Sequence, residues 1–378
     1  MEFGIFLQGY LPGAAAHDRA REHEMFMREA ELVRCADRNN WKYVWMSEHH
    51  SLTEYSHTSS SEVMLGYLAA QTEQIHLGSG IFNLSPRANH PVRNAERAAM
   101  LDQFSEGRFE MGTGRGAGSH ETATFNIMDT SSTKAEWDEV ICEIPRMWEV
   151  SDYTFDGEFF TVPTPHNILP KPYMGQGHPP LWVACGNPAT FGKAGQHGIG
   201  ALGFNFSPIT DMKPMIDAYK QGIADCENPV GQFVNDNVMI TNAVLCFEDG
   251  ARARQTAVNP RSGYLYSLVC LYHDTFPKPD WAPVWPEPPL EPTPESVDLA
   301  IELGAMLCGS PDEVCEQLKA YEETGVDQVS FGFPSYLTHD EALECLEVFG
   351  QQVIPHFDSD PEHSTTRYRR TAEPKFSA

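Results

Sequence analysis

The chain has 378 residues, of which 53 are acidic and 26 are basic, so its formal net charge at pH 7 is −27. A surface of this charge repels phosphate backbones and anionic lipids, which argues against a general nucleic-acid binder or a protein of anionic membranes. The nine cysteines include no Cys-x-x-Cys pair, which indicates reduced thiols rather than a disulfide framework or a zinc site. Since we find neither a signal peptide nor an apolar run of membrane-spanning length, we expect a cytoplasmic protein without a membrane partner.

Strand and helix signals alternate along most of the chain. The predicted strands are residues 3–7, 43–46, 76–84, 108–113, 181–184, 199–203, 238–247 and 328–331. Repeated βα units require parallel pairing, and eight of them close a barrel. The alternative is a doubly wound open sheet, but the glycine-rich dinucleotide fingerprint expected at its first turn is missing. The predicted fold is therefore a (β/α)8 TIM barrel with insertions, the longest between strands seven and eight.

Two connections are too long for ordinary loops, at roughly residues 150–180 and 259–308. The second is rich in proline and contains Phe276, Trp281 and Trp285, a composition that suggests an aromatic lid. We expect one barrel domain over residues 1–357. The polar residues 358–378, which are basic near their end, are expected to form a C-terminal arm or a mobile tail.

The second predicted strand ends abruptly in Ser47, Glu48, His49 and His50. Catalytic residues of parallel barrels lie at the carboxyl ends of the strands, so this stretch predicts a site, although many strands simply end in polar residues. Together with His57 the two histidines could bind a metal, but neighbours on an extended strand point to opposite faces, and we predict no metal. A single histidine acting as a base or as a hydrogen-bond donor to a cofactor needs less special geometry.

Two glycine turns could hold a phosphate. Gly112-Thr-Gly-Arg-Gly116 follows the fourth strand, and Arg115 offers a bidentate fork, although an ordinary turn explains the pattern as well. The turn at Gly186 and Asn187 leads into a helix with Thr190 in its first turn, where free amides suit an anion. The ordinary explanation there is a capped helix start, and for Cys185 a buried, inert thiol.

Residues 1–12, Ser47-Glu-His-His50, His90-Pro-Val-Arg93, the run from residue 101 to Gly116 and Cys308-Gly-Ser-Pro-Asp-Glu-Val resemble the bacterial luciferase-like monooxygenase family. The likeness is greatest to the alpha-type chains of alkanal monooxygenase. This resemblance implies a barrel, usually a homodimer, that binds reduced FMN at its carboxyl face. It also implies that His49 is the active-site histidine, with Glu48 and His50 in support. The cofactor-binding residues it implies are Phe6, Gly80, Ile81, Asn83, Arg115, Gly186, Asn187 and Thr190.

The resemblance also implies a reaction. A separate flavin reductase supplies reduced FMN, O2 forms a C4a-peroxyflavin, and a small apolar substrate is oxidised. Hydride transfer with the deazaflavin F420 is the alternative within the family, and a non-catalytic flavin-binding protein or a metal hydrolase are further ones. Gly114 replaces the cysteine of luciferase alpha chains, and Cys185-Gly186 replaces their Glu-Ser pair, so light emission is not implied.

Overall fold

The computed structural model describes the chain except residues 12, 54, 117, 174–176, 206, 260–291, 334–335 and 377–378. Its strands are β1 (Glu2–Leu7), β2 (Tyr43–Met46), β3 (His76–Ser79), β4 (Phe82–Asn83), β5 (Phe109–Gly114), β6 (Tyr153–Asp156), β7 (Thr161–His166), β8 (Leu181–Cys185), β9 (Gly200–Phe204), β10 (Val238–Cys246), β11 (Leu307–Gly309) and β12 (Gln328–Gly332). Its α-helices are α1 (Arg19–Arg38), α2 (Ser61–Ala69), α3 (Pro91–Phe104), α4 (Ser119–Thr124), α5 (Thr133–Glu149), α6 (Pro188–Gln196), α7 (Lys213–Ala224), α8 (Gly250–Ala257), α9 (Pro294–Glu302), α10 (Pro311–Thr324), α11 (His339–Gln352), α12 (Ile354–Phe357) and α13 (Ser364–Arg369).

Eight parallel strands close into a barrel in the order β1-β2-β3-β5-β8-β9-β10-β12. The ring closes where Phe3 of β1 pairs with Val329 of β12. Helices follow the strands and cover the outside, as the right-handed crossovers of parallel pairing require. The predicted (β/α)8 barrel is confirmed. None of the described helices combines the length and apolar character that crossing a membrane would require.

Side chains alternate between the outer layer and the barrel interior. On β2, Val44 and Met46 belong to the large core beneath the helices, whereas Tyr43 and Trp45 belong to a separate interior cluster. Gly78 stands directly opposite Trp45 in the neighbouring strand, and a Cβ at residue 78 would lie 2.3 Å from the indole ring. The glycine is therefore what makes room for the large ring.

The third predicted strand, residues 76–84, is wrong in one respect, because it is two strands. β3 pairs with β2 and β5, whereas β4 pairs with β5. The chain leaves the sheet at Gly80, and the Gly80–Ile81 peptide bond is cis. The Ile81 side chain then packs against Gly114, where a Cβ would lie 2.7 Å from it.

The two long connections differ in content. Residues 150–180 contain the antiparallel hairpin of β6 and β7. Residues 260–291, which include Phe276, Trp281 and Trp285 of the expected lid, lie outside the described residues. The remainder of that connection contains α9 and β11, and β11 pairs with β10.

Residues 358–376 pack against the amino-terminal end of the barrel. Ser364 donates hydrogen bonds to Glu2, and Thr365 donates to Glu110. Arg369 is 1% exposed and forms a bidentate ion pair with Asp102 of α3, at 2.8 and 2.7 Å. This part of the chain covers the amino-terminal end of the barrel, which is called its lower end below.

Candidate active site

A cavity of about 200 Å³ opens at the carboxyl ends of the barrel strands. Trp45, Leu202 and Met239 are among its apolar lining residues, and the cavity is continuous with the interior cluster to which they belong. Six of the predicted site residues line it: Phe6, Glu48, His49, Gly80, Ile81 and Arg115. Residues of β1 and of the segments that follow β2, β3 and β5, which are far apart in the sequence, therefore surround the same cavity.

His49 stands in the wall of the cavity with its side chain 14% exposed. Its backbone amide donates to Thr58, which fixes the loop after β2. Its Nδ1 lies 3.3 Å from Oε1 of Glu121, and its ring lies 5.0 Å from the ring of Tyr55. A carboxylate beside Nδ1 favours the tautomer with its proton on that nitrogen, which leaves Nε2 with a lone pair.

Glu121 is a residue of the candidate site that sequence reasoning missed. It lies in α4, shortly after the Gly112–Gly116 turn, and is 1% exposed. The same oxygen that faces His49 also accepts a hydrogen bond of 3.1 Å from the backbone amide of His50. One buried carboxylate thus holds both histidines after β2. The signal that could have indicated it is an acidic residue directly beyond a glycine turn that enters the site.

Glu48 lines the cavity from a buried network. Ser61 donates to its Oε2 at 3.0 Å, and Arg97 donates to both oxygens at 3.2 and 3.4 Å. His50 Nε2 lies 3.8 Å from Glu48 Oε1. Burial by itself raises the pKa of Glu48, but the nearby His50 and the charge of Arg97 outweigh burial, and the pKa lies below its ordinary value. Glu48 is therefore an ionised, anchored carboxylate.

His50 and Asn83 stand behind the cavity wall and are not among its lining residues. The ring of His50 meets Phe125 of the α4 end at 4.8 Å, edge to face. Asn83 is buried beside Gly116, which has φ +90°, and a Cβ there would lie 3.2 Å from the Asn83 amide nitrogen. Glycine is therefore required at residue 116, since it satisfies both the backbone angle and the close approach.

Arg115 provides an exposed guanidinium at the cavity. Its described hydrogen bond is to the Thr133 hydroxyl at the start of α5, at 3.2 Å. An arginine here can bind an anion through two parallel N–H groups. Arg115 lies on the loop that leads into α4, the helix that contains Glu121. Arg115 and the carboxylate that holds His49 are therefore close to each other in the sequence.

The turn at Gly186 is a capping box, and its polar groups are bonded within it. The amides of Gly186 and Asn187 donate to the Thr190 hydroxyl at 3.2 Å each, and Asn187 accepts from the Thr190 amide. Gly186, Asn187 and Thr190 are therefore not free donors in this conformation, in contrast to the free amides that the sequence suggested. Open space remains above the turn, because a Cβ at Gly186 would meet nothing within 4 Å.

Neither a metal cluster nor a reactive Cys185 is present in the described part of the chain. No group of three or more His, Cys, Asp or Glu side chains there could hold a metal ion. His57 is directed to Glu22, with 2.7 Å between Nδ1 and the carboxylate. Cys185 is buried, and burial raises the pKa of its thiol to about 12, which leaves it unreactive.

The sequence model that describes luciferase-like monooxygenases matches residues 1–328. The chain belongs to this family. A flavin-dependent trigonelline monooxygenase, oxygenase component, from Acinetobacter baylyi is 25% identical over 92% of this chain and 95% of the relative. An alkanal monooxygenase alpha chain from Photorhabdus luminescens is 25% identical over 96% of this chain and 99% of its own length. The chain is thus an enzyme, a flavin-dependent oxidoreductase of the monooxygenase type.

Solved structures with the luciferase-like fold match nearly the whole chain. The oxygenating constituent of 3,6-diketocamphane monooxygenase from Pseudomonas putida, in complex with FMN, superposes with a TM-score of 0.74 at 20% identity, covering 94% of this chain and 98% of that one. The coenzyme F420-dependent tetrahydromethanopterin reductase from Methanopyrus kandleri gives a TM-score of 0.62 at 22% identity, covering 94% and 99%. Both likenesses concern the fold.

The geometry of the cavity is itself suited to a flavin. Gly80, the aromatic ring of Phe6 and the side chain of Ile81 line the space together, and a Cβ at Gly80 would lie 3.3 Å from the Phe6 ring. A flat apolar ring system fits such walls. Arg115 supplies a cation for a phosphate, in a protein whose overall charge would otherwise repel it.

Proposed function

We propose that the chain is the oxygenase component of a two-component monooxygenase, which receives reduced FMN from a separate flavin reductase and uses O2 to oxidise a small apolar substrate. The observation that supports this most is His49, held by the buried Glu121 in the wall of a cavity that is otherwise largely apolar. The bound reduced cofactor would supply the oxygen chemistry, through a C4a-peroxyflavin. The remaining tasks belong to residues of this chain.

His49 is proposed to hold or move a proton at its Nε2. With Nδ1 beside the Glu121 carboxylate, Nε2 can accept a proton from a donor in the cavity and return it later. Glu48, fixed by Arg97 and Ser61, stays ionised and keeps the strand end in place. We propose it and His50 as supporting residues.

The apolar lining is proposed to keep water from the reacting centre and to bind the substrate. Phe6 and Phe204 meet edge to face at 5.5 Å, and with Trp45 and Met239 they form a hydrophobic wall. Water exclusion strengthens every charge interaction within such a site. An apolar substrate would bind against these side chains because none of them offers it a charge.

The first test measures cofactor binding by fluorescence quenching with FMN, riboflavin and F420. We expect Arg115→Ala to weaken FMN by about 10- to 100-fold, as the loss of a charge-assisted hydrogen bond of about 1.5–3 kcal/mol predicts, and to leave riboflavin nearly unchanged. Arg93→Ala is the matched control, since Arg93 is an exposed arginine of α3 that pairs with Glu96. Equal losses for FMN and riboflavin would contradict the phosphate role.

The same titrations separate the proposal from hydride transfer with F420, the second candidate, whose support is the shared fold of an F420-dependent reductase. Tight binding of F420 without binding of reduced FMN would favour that candidate. Failure of the purified protein to couple oxidation of reduced FMN to product formation would exclude the monooxygenase proposal. A homodimer stays a prediction of the family resemblance, and a cytoplasmic location stays a prediction from the sequence.

A further inference from the structure

Three electron-rich rings run from the cavity into the barrel interior. Trp45 lines the cavity and meets Trp182 of β8 with 5.1 Å between ring centroids, edge to face. Tyr43, two residues before Trp45 on the same strand, lies 6.5 Å from it with the ring planes 12° apart. Rings this close exchange electrons readily when one of them is oxidised.

The polar hydrogen of each ring has an acceptor. Trp45 Nε1 donates to Gln328 at 2.6 Å, and Trp182 Nε1 donates to Glu110 at 2.7 Å. The Tyr43 hydroxyl donates to Oε2 of Glu2 at 2.8 Å. Oxidation makes an indole N–H or a phenol O–H far more acidic, so an acceptor already in place stabilises the oxidised ring.

Tyr43 is the natural end of the series because its acceptor is a carboxylate. Lys42 donates to the other oxygen of Glu2 at 2.8 Å. Burial raises the pKa of Glu2, but the Lys42 charge and its hydrogen bonds outweigh burial and lower it, so the group is ionised. A proton released by the Tyr43 hydroxyl therefore has an anionic oxygen within hydrogen-bond distance.

The register of the sheet determines where the two indole rings lie. Trp45 pairs with Gly78 and Trp182 pairs with Gly200, and a Cβ at either glycine would lie within 2.3 Å of the facing indole. Branched aliphatic side chains usually fill the interior of a barrel of this type. This barrel has instead two glycines that admit two tryptophans beside a tyrosine.

We propose that Trp45, Trp182 and Tyr43 form an electron relay that supplies an electron to a one-electron oxidant in the cavity and moves the oxidised site to Tyr43. The inference rests on the proposed function, because the oxidant would arise from flavin, in its light-excited state or by reaction with O2. Trp45 gives one electron to the oxidant and shares the oxidised state with Trp182. Tyr43 then gives one electron to Trp45, and its O–H proton passes to Oε2 of Glu2. The oxidant, reduced by the electron from Trp45, returns one electron to Tyr43, and the proton returns from Glu2 to the phenol oxygen, which restores the starting state.

The test uses oxidised FMN bound to the purified protein and measures the excited-state lifetime of the flavin after a light pulse. All variants carry Tyr55→Phe, because Tyr55 is a second electron-rich ring in the cavity wall. Trp45→Phe should lengthen the lifetime several-fold by removing the first donor. Trp148→Phe is the matched control, since Trp148 is buried in the outer core and donates to Ala95. An unchanged lifetime in Trp45→Phe would overturn the relay.

Tyr43→Phe gives an independent readout and keeps the ring that packs in the barrel. The initial quenching should persist, but transient absorption should show a tryptophan radical that disappears faster, because the oxidised site can no longer move away from the flavin. A decay identical to that of the protein with Tyr43 would overturn the relay. If FMN does not bind at all, the proposed function and the relay both fail, whereas bound FMN with lifetimes insensitive to Trp45 refutes the relay alone.

Discussion

Glu121 illustrates what the sequence could not predict at the scale of one residue. The strand pattern and the family resemblance placed His49 at the site, since both depend on adjacent residues. Glu121 lies 72 residues further along, and its contact with His49 exists only after β2 and the loop beyond β5 come together across β3. Its carboxylate is buried and also accepts a hydrogen bond from the His50 amide, and we expect it to position His49.

The Glu121→Gln variant keeps the size of the side chain and removes its charge. We expect turnover to fall about 10- to 100-fold, the usual scale for a group that orients a proton-transfer residue, with FMN affinity nearly unchanged. Steady-state kinetics and an FMN titration measure the two effects. If Glu121 acts through His49, then Glu121→Gln adds little to His49→Ala in a double-mutant cycle. An equal additional loss in the His49→Ala background would contradict this role.

The buried carboxyl group of Glu110 should make the stability of the folded protein depend on pH. Burial raises its pKa to about 8, and burial lowers the pKa of its partner His76 to about 3, so both groups are neutral at pH 7. The folded state therefore keeps a proton on Glu110 that the unfolded chain releases above its ordinary pKa of 4.5. The free energy of unfolding should fall as pH rises from about 4.5 to 8, by at most ~1.4 kcal/mol per unit.

Urea unfolding of the wild-type protein and of Glu110→Gln between pH 6.5 and 8 measures this effect. His76 is present in both proteins, and its effect on stability fades over this interval, since that effect is gained mainly as pH rises from about 3 to its ordinary value of 6.5. The wild-type protein should lose stability relative to Glu110→Gln as pH increases. Parallel curves for the two proteins would show that Glu110 is already ionised at pH 6.5.

At the scale of elements, the sequence predicted best where local signals were complete. The bounds of α10 follow from Ser310 at its start, which forms a capping box with Glu313, and from the left-handed Gly325 at its end. The break between β3 and β4 is marked only by Gly78 and Gly80, and because glycines also occur within continuous strands, the strand pattern extended through it. The docking of α13 was equally out of reach, since a polar, basic segment gives no indication of the buried Asp102 that it meets.

Replacing Arg369 tests whether the docking of α13 stabilises the barrel. Arg369→Met leaves Asp102 buried without its partner and should lower the free energy of unfolding by about 3–5 kcal/mol. Arg367→Met is the control on the same helix, since Arg367 pairs with Asp360 at the surface, and its effect should stay within about 1 kcal/mol. Adding Asp102→Asn to Arg369→Met should recover part of the loss. Equal effects at residues 367 and 369 would contradict the buried ion pair.

At the scale of the whole molecule, the charge of −27 opposes the approach of an anionic cofactor, while Arg115 attracts it locally. Salt screens the distant charges over a length of about 8 Å at ~0.15 M. Stopped-flow fluorescence should therefore show that the association rate constant of FMN rises with ionic strength, whereas that of uncharged riboflavin does not change. A rate constant for FMN that falls with salt would show that Arg115 dominates the encounter.

The arm around α13 also has a consequence for biosynthesis. Its residues are made after all eight barrel strands, yet they supply further hydrogen-bond partners of Glu2, Asp102 and Glu110. While the chain is still being translated, these acidic groups have no arm to bind, and the lower end of the barrel is incomplete. The final folding step must therefore follow the emergence of the arm from the ribosome, and a nascent chain that stalls before residue 364 would hold a barrel that chaperones can still recognise.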